Sequence, residues 1–124
     1  MKKILIVIDM QNDFLTGSLG NAECAATAEP VRALLAQGGW DAVAFTRDTH
    51  RANYPDTLEG RKLPVPHCLE GSEGWAIAPA LRPYAEAPGA IVVDKPTFGS
   101  FALADALAER KIAQGARHCN ARAR

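Results

Sequence analysis

The sequence carries no net charge to attract a charged partner, no apolar run long enough for a membrane, and too few cysteines for a disulfide framework. Its 14 lysines and arginines are balanced by 14 aspartates and glutamates. With no basic stripe before the last few residues, non-specific nucleic-acid binding is not expected. The longest apolar stretch falls far short of a span. Lys2-Lys3 ahead of Ile4–Ile8 has the outline of a signal peptide, but the run meets Asp9 directly and no small-residue cleavage site follows. Three cysteines, Cys24, Cys68 and Cys119, are an odd number without framework spacing. They fit a reducing cytoplasm, the expected location. Neither an internal repeat nor a low-complexity segment is visible.

What is present is enough for one folded domain: 124 residues, 48% of them hydrophobic. Ile4-Leu5-Ile6-Val7-Ile8 reads as a strand buried on both faces, as in a parallel sheet. Thr16–Asn21 reads as a loop. Asn21 can cap an Ala-rich helix, with Pro30 bending or restarting it. Val31, Leu34 and Leu35 keep helical spacing up to Gly38-Gly39. Trp40–Thr46 is expected to be the second strand. Residues 47–74 show no period and form a long loop of the kind that usually has a function or is disordered. Trp75–Leu81 is expected to be a short helix, Ala90–Val93 a third strand, and Phe101–Arg110 a helix with Leu103/Leu107 and Ala104/Ala108 pairs. This alternation predicts an α/β fold, a three-layer doubly wound parallel sheet.

In open parallel sheets the ligand crevice lies beyond the carboxyl ends of the strands. Asp9 follows the first strand, and Asp94-Lys95 follows the third. An acid and a base are thus delivered to the end of the sheet where chemistry takes place. A lone strand-end Asp can equally cap a turn, and a lone Lys is usually solvated. Asp48-Thr49-His50 with His67 forms a second constellation. In an extended segment Asp48 and His50 point to one side, and two His with one Asp suit zinc, manganese or iron. The bland alternative is a turn-capping Asp48 with two loop histidines. Phe14 can line a pocket for a flat ring or pack in the core, whereas Trp75 reads as core. Gln11 and Asn12 are expected to satisfy backbone groups near Asp9. Cys68 and Cys24 read as structural packing residues.

Four stretches occur in order: Asp9-Met10-Gln11-Asn12-Asp13-Phe14, Phe45-Thr46-Arg47-Asp48-Thr49-His50, Pro66-His67-Cys68 and Asp94-Lys95-Pro96-Thr97-Phe98-Gly99-Ser100. Together they resemble the isochorismatase-like cysteine hydrolases, and most nearly the nicotinamidase-type members, over residues 2–112. The resemblance implies that Asp9 and Lys95 are catalytic partners of a cysteine nucleophile, and that Asp48, His50 and His67 hold a divalent metal meeting a pyridine nitrogen. Phe14 would then be substrate-binding. Some relatives add a Ser or His soon after the Asp-x-His; Arg51-Ala52-Asn53-Tyr54 contains neither. The implied reaction is hydrolysis of a small-molecule amide, nicotinamide to nicotinate and ammonia, through a Cys thioester. A homo-oligomer is compatible with this reading.

The resemblance places the nucleophile in a Gly-x-x-Thr-Asp-x-Cys-like turn after another buried strand. The residues following Lys111-Ile112 supply neither. Gly115–Arg124 contains no branched aliphatic or aromatic residue and reads as an atypical basic tail, and Cys119 is a poor substitute for the nucleophile. The expectation is therefore an incomplete hydrolase domain over 1–114, a tail over 115–124, no nucleophile, and a chain inactive by itself. Two rivals remain. One is a different activity of the same family, such as isochorismatase, which cleaves a vinyl ether without a metal. The other is a non-catalytic fragment that binds a metal and a ring. A phosphatase of the haloacid dehalogenase type would want Asp at position 11, where Gln11 stands.

Overall fold

The computed structural model describes residues 2–96 and 101–109. Part of the fourth motif (Thr97–Ser100), the expected helix end at Arg110, and the expected tail with Cys119 lie outside the described residues.

Strand β1 (Ile4–Ile8) forms from the opening aliphatic run, and both of its faces are covered. Leu5 and Val7 pack into a cluster with Phe14, Leu15, Val31, Leu35, Phe45 and Leu81. Ile4 and Ile6 turn the other way, against Ala42, Ala44, Ile91 and Val93, where Leu103, Ala106 and Leu107 close over them. A strand between two apolar layers has no solvent-facing positions, which is why its sequence does not alternate. Strands β2 (Ala42–Asp48) and β3 (Ile91–Lys95) complete a parallel sheet in the order β1-β2-β3. Helices α1 (Asn12–Leu15), α2 (Ala22–Ala26) and α3 (Ala28–Gln37) supply residues to the first cluster. Helices α4 (Leu58–Lys62), α5 (Arg82–Ala85) and α6 (Phe101–Glu109) follow, with α6 on the opposite face. The result is the three-layer α/β arrangement expected from the alternation.

Local chemistry sets the boundaries. The Asn21 side chain accepts a hydrogen bond from the Cys24 amide at 2.8 Å and so starts α2. Helix α3 begins at Ala28, with Pro30 in its first turn, where a missing amide proton costs nothing. Gly38 and Gly39, at φ +70° and +81°, end it.

Three expected elements differ. The third strand is Ile91–Lys95 rather than Ala90–Val93, so Asp94 and Lys95 lie within it and not after it. The second strand runs two residues later than Trp40–Thr46. The Trp40 indole donates to the Leu34 carbonyl at 2.9 Å, which holds Trp40 against the end of α3. The strand's polar end is carried onward by pairing with β3, Arg47 opposite Asp94 and Asp48 opposite Lys95. Trp75–Leu81 is not a helix. Its backbone is already engaged: the Asn12 amide donates to Ala76 O at 3.0 Å and the Ala78 amide to Met10 O at 3.0 Å. Pro79 also biases the residue before it away from helix. The long loop is ordered in part by a 3-10 turn, Tyr54–Asp56, and by α4.

Replacing Asn21 with Ala removes the α2 cap and should cost about 1 kcal/mol. Urea unfolding of the variant checks this; an unchanged midpoint would mean the bond contributes nothing to α2.

Candidate active site

Asp9 leaves β1 in the left-handed region at φ 54°, a conformation that Asp tolerates better than most residues. Its side chain is 1% exposed. Lys95 Nζ donates to Asp9 Oδ2 at 2.9 Å, and Thr46 Oγ1 donates to Oδ1 at 2.8 Å. The pair bridges β1 and β3 across the intervening β2, and Thr46 of β2 ties the middle. Burying either charge alone would be expensive, so each makes the other tolerable.

The second group lies beside it. Asp48 ends β2 opposite Lys95. His50 Nε2 lies 3.0 Å from Asp48 Oδ2, and His67 Nε2 lies 3.4 Å from the same oxygen. Glu59, from α4, joins them, with Oε2 3.8 Å from His50 Nε2. One ligand atom from each of Asp48, His50, Glu59 and His67 falls within 4.8 Å of the others. Glu59 had no signature in the sequence; it is placed by Thr57, whose hydroxyl accepts from the Gly60 amide at 3.0 Å and caps α4.

The donor set suits a divalent ion on chemical grounds. Two imidazoles and two carboxylates are the mixed N/O ligands that zinc, manganese and iron accept. His67 Nδ1 lies 2.7 Å from the Val65 carbonyl. The carbonyl can only accept, so Nδ1 carries the proton and Nε2 faces the cluster, the usual arrangement of a metal-binding His. Phe14 and Tyr54 frame the rings, with centroids 5.5 Å from His67 and 4.6 Å from His50 respectively. A pocket of about 280 Å³ opens against Asp48, Glu59 and His67 and is walled by Phe14, Leu19 and Leu58. Trp75 packs partly against the core, with the Arg47 guanidinium 3.9 Å above its ring.

Gln11 satisfies backbone groups, as expected, and they are those of Asp48 and Trp75. Its Oε1 accepts from the Asp48 amide at 2.7 Å, and its Nε2 donates to Asp48 O at 2.9 Å and to Trp75 O at 2.8 Å. It therefore fixes Asp48, whose strand partner Lys95 meets Asp9. Cys68 is fully buried, and burial, reinforced by nearby Asp48, Asp13 and Asp9, pushes its thiol well above the ordinary range. A thiol held protonated is a poor nucleophile. Cys24 is buried on α2 in the first cluster.

Residues 3–115 match the Isochorismatase domain. The chain belongs to the isochorismatase family. It superposes on N-carbamoylsarcosine amidase from Thermoplasma acidophilum with a TM-score of 0.77 and 28% identity, covering 97% of this chain and 68% of that one. Against nicotinamidase/pyrazinamidase from Bacillus subtilis the TM-score is 0.70 at 28% identity, covering 97% and 71%. The pyrazinamidase of Pyrococcus horikoshii, solved in complex with zinc, gives 0.71 at 23% identity, covering 97% and 70%, a likeness of fold alone. No curated protein matches the sequence. The family is one of hydrolases, and no helix among the described residues is long and apolar enough to cross a membrane.

The cluster's protonation gives a pH prediction. Burial opposes the charge on Asp48, but the His67 hydrogen bond and the positive fields of His50 and Lys95 outweigh it and hold the carboxyl below its ordinary 3.8. Burial also opposes the charge on His67, yet the bonds to Asp48 and to the Val65 carbonyl raise it above 6.5. The Asp48 contribution is present above its unfolded value and lost as pH falls through the lowered folded one. The His67 contribution is full below its unfolded value and lost as pH rises through the raised folded one. Metal-free protein should therefore gain most from this pair between about pH 4 and 6.5. Metal must displace the His67 proton, so the rise in melting temperature on adding zinc should be larger at about pH 8 than at about pH 5. Equal shifts at both pH values would contradict this protonation scheme.

The buried pair gives another. Lys95→Met alone should destabilise by about 3–5 kcal/mol, and Asp9→Leu together with Lys95→Met by clearly less. Urea unfolding decides it: a double variant as unstable as the sum of the singles would show that the two charges are not coupled.

Proposed function

We propose that the chain carries the acid–base and metal-holding parts of an amide hydrolase whose substrate is a flat ring amide, nicotinamide first. The observation that carries this reading is the adjacency of three things at one end of the sheet. These are the Lys95–Asp9 pair at 2.9 Å, the Asp48, His50, Glu59 and His67 group, and the pocket against it walled by Phe14. Two of the relatives at 28% identity bear amidase names, which favours a C–N bond over an ether.

In this reading Asp9 is the proton carrier. Its carboxylate takes the proton from an attacking thiol and returns it to the departing ammonia. The Lys95 ammonium holds that carboxylate in place and steadies negative charge on the substrate carbonyl. Phe14 offers an apolar wall to one side of the ring. A divalent ion held by Asp48, His50, His67 and Glu59 would supply a Lewis-acid contact for a ring nitrogen.

The nucleophile is the part this sequence does not match. Thioester chemistry needs an ionisable thiol against Asp9. Cys68 is buried and held protonated, and Cys24 packs on α2. The sequence contains no Gly-x-x-Thr-Asp-x-Cys turn. We therefore expect the chain by itself to bind its substrate without turning it over, the behaviour of a metal- and ring-binding module.

The experiment has two readouts. Ammonia release from nicotinamide and from N-carbamoylsarcosine should stay at background at high protein concentration. Turnover abolished by Cys119→Ser would overturn the assignment of an absent nucleophile. Nicotinamide should raise the melting temperature of zinc-loaded protein, and the rise should vanish in Phe14→Ala and in His50→Ala/His67→Ala. A rise that persists in both would place the ligand elsewhere.

A further inference from the structure

The two histidines of the cluster come from separate segments, and Cys68, next to His67, ties its segment to that of His50. Its backbone is engaged on both sides. The His50 amide donates to the Cys68 carbonyl at 2.9 Å, and the Cys68 amide donates to Asp13 Oδ2 at 2.8 Å. Cys68 is also one of only two non-glycine residues among those described with a positive φ, at 50°. A side-chain-bearing residue stays in that region only where its surroundings hold it. His67 immediately precedes it, so the direction of the Cys68 amide and the direction of the His67 ring are coupled through one peptide unit.

The fold keeps space for the Asp13 carboxylate in two places. A Cβ on Gly74 would collide with its oxygens, and a Cβ on Gly17 would collide with Oδ1. Neither glycine has a positive φ. What these positions lack is room, and Asp13 occupies it. The Asp13 backbone is fastened as well: its amide donates to Gly74 O at 2.9 Å and its carbonyl accepts from the Leu19 amide at 2.9 Å. The carboxylate is therefore a fixed acceptor: Oδ2 takes the Cys68 amide at 2.8 Å, and Oδ1 takes the Ser18 amide at 3.4 Å.

We propose that Asp13 is the positioning residue of the two-histidine cluster: it holds the Cys68 amide, and through the Cys68 backbone it sets both imidazoles. Asp13 touches neither a ligand atom nor a substrate. The proposal rests on the reading of Asp48, His50 and His67 as a metal site, and the test separates the two.

The probe is Co(II), whose visible bands report coordination geometry and whose affinity is measured by competition with a chelating dye. The full chain is used throughout. Wild type should bind one Co(II). Asp13→Ala should weaken binding by about 10- to 100-fold, the usual effect of removing a group that orients a ligand, and should change the bands. Asp13→Asn keeps a carbonyl oxygen for the Cys68 amide and should restore affinity to within about threefold of wild type. Gly74→Ala displaces the carboxylate without removing it and should reproduce the Asp13→Ala spectrum; it carries the test if Asp13→Ala does not fold. A merely structural Asp13 would lower the melting temperature of metal-free protein and leave affinity and bands unchanged. That result in Asp13→Ala, or in Gly74→Ala if it alone folds, overturns the proposal, as does Asp13→Asn binding no better than Asp13→Ala. Should wild type and His50→Ala/His67→Ala bind Co(II) alike, the metal reading itself fails and the proposal falls with it.

Discussion

The Lys95–Asp9 ion pair is the constraint around which this end of the molecule is built. Both side chains are almost fully buried, at 3% and 1% exposure. A buried carboxylate and a buried ammonium are each costly, and attraction offsets the cost only when geometry is good and the remaining hydrogen-bonding positions are filled. Here Thr46 fills one of them. The pair can form only if β1, β2 and β3 keep the register that places the carboxyl ends of β1 and β3 level. Sheet register and site chemistry are thus one requirement, and the aliphatic core on both faces of β1 enforces it.

The segment leaving β1 distributes the rest. Asp9 reaches Lys95, Gln11 grips both backbone groups of Asp48, Asp13 takes the Cys68 amide, and Phe14 lies against His67. Four of its six residues thus reach Lys95, Asp48, Cys68 and His67. The segment is fixed by its backbone as well, since the Asp9, Asn12 and Asp13 amides donate to the Thr46, Ala76 and Gly74 carbonyls. Asp9 lies in this segment and Cys68 on its Asp13 bond; they are the two non-glycine residues with positive φ among those described, and strain of this kind collects where a site over-determines its backbone.

How much of this could be read from the sequence follows from the range of each interaction. The β1 run, the Asn21 cap and the Leu103/Leu107 spacing are local patterns, and the structure has them where the patterns lie. The acid and base at strand ends were legible because parallel sheets have a fixed polarity. Other features depend on contacts between distant segments. Trp75–Leu81 spans an apolar, helix-length interval, yet Met10 and Asn12 had claimed its backbone. The second strand runs on to Asp48 because β3 offers Asp94 and Lys95 as partners. Glu59 enters the cluster through a helix cap in a segment without period. Asp13 meets Cys68 across 55 positions, and no local pattern announces such a bond.

The central claim is that the β1 exit segment brings a proton-carrying pair and a divalent-metal group to one end of the sheet. Anomalous diffraction at the zinc edge from zinc-loaded crystals tests it most directly. The account predicts one strong peak bounded by Asp48, the Nε2 atoms of His50 and His67, and Glu59, with the Lys95–Asp9 contact intact beside it. A peak elsewhere, or no peak in crystals where the Asp48, His50 and His67 side chains are well ordered, would contradict it.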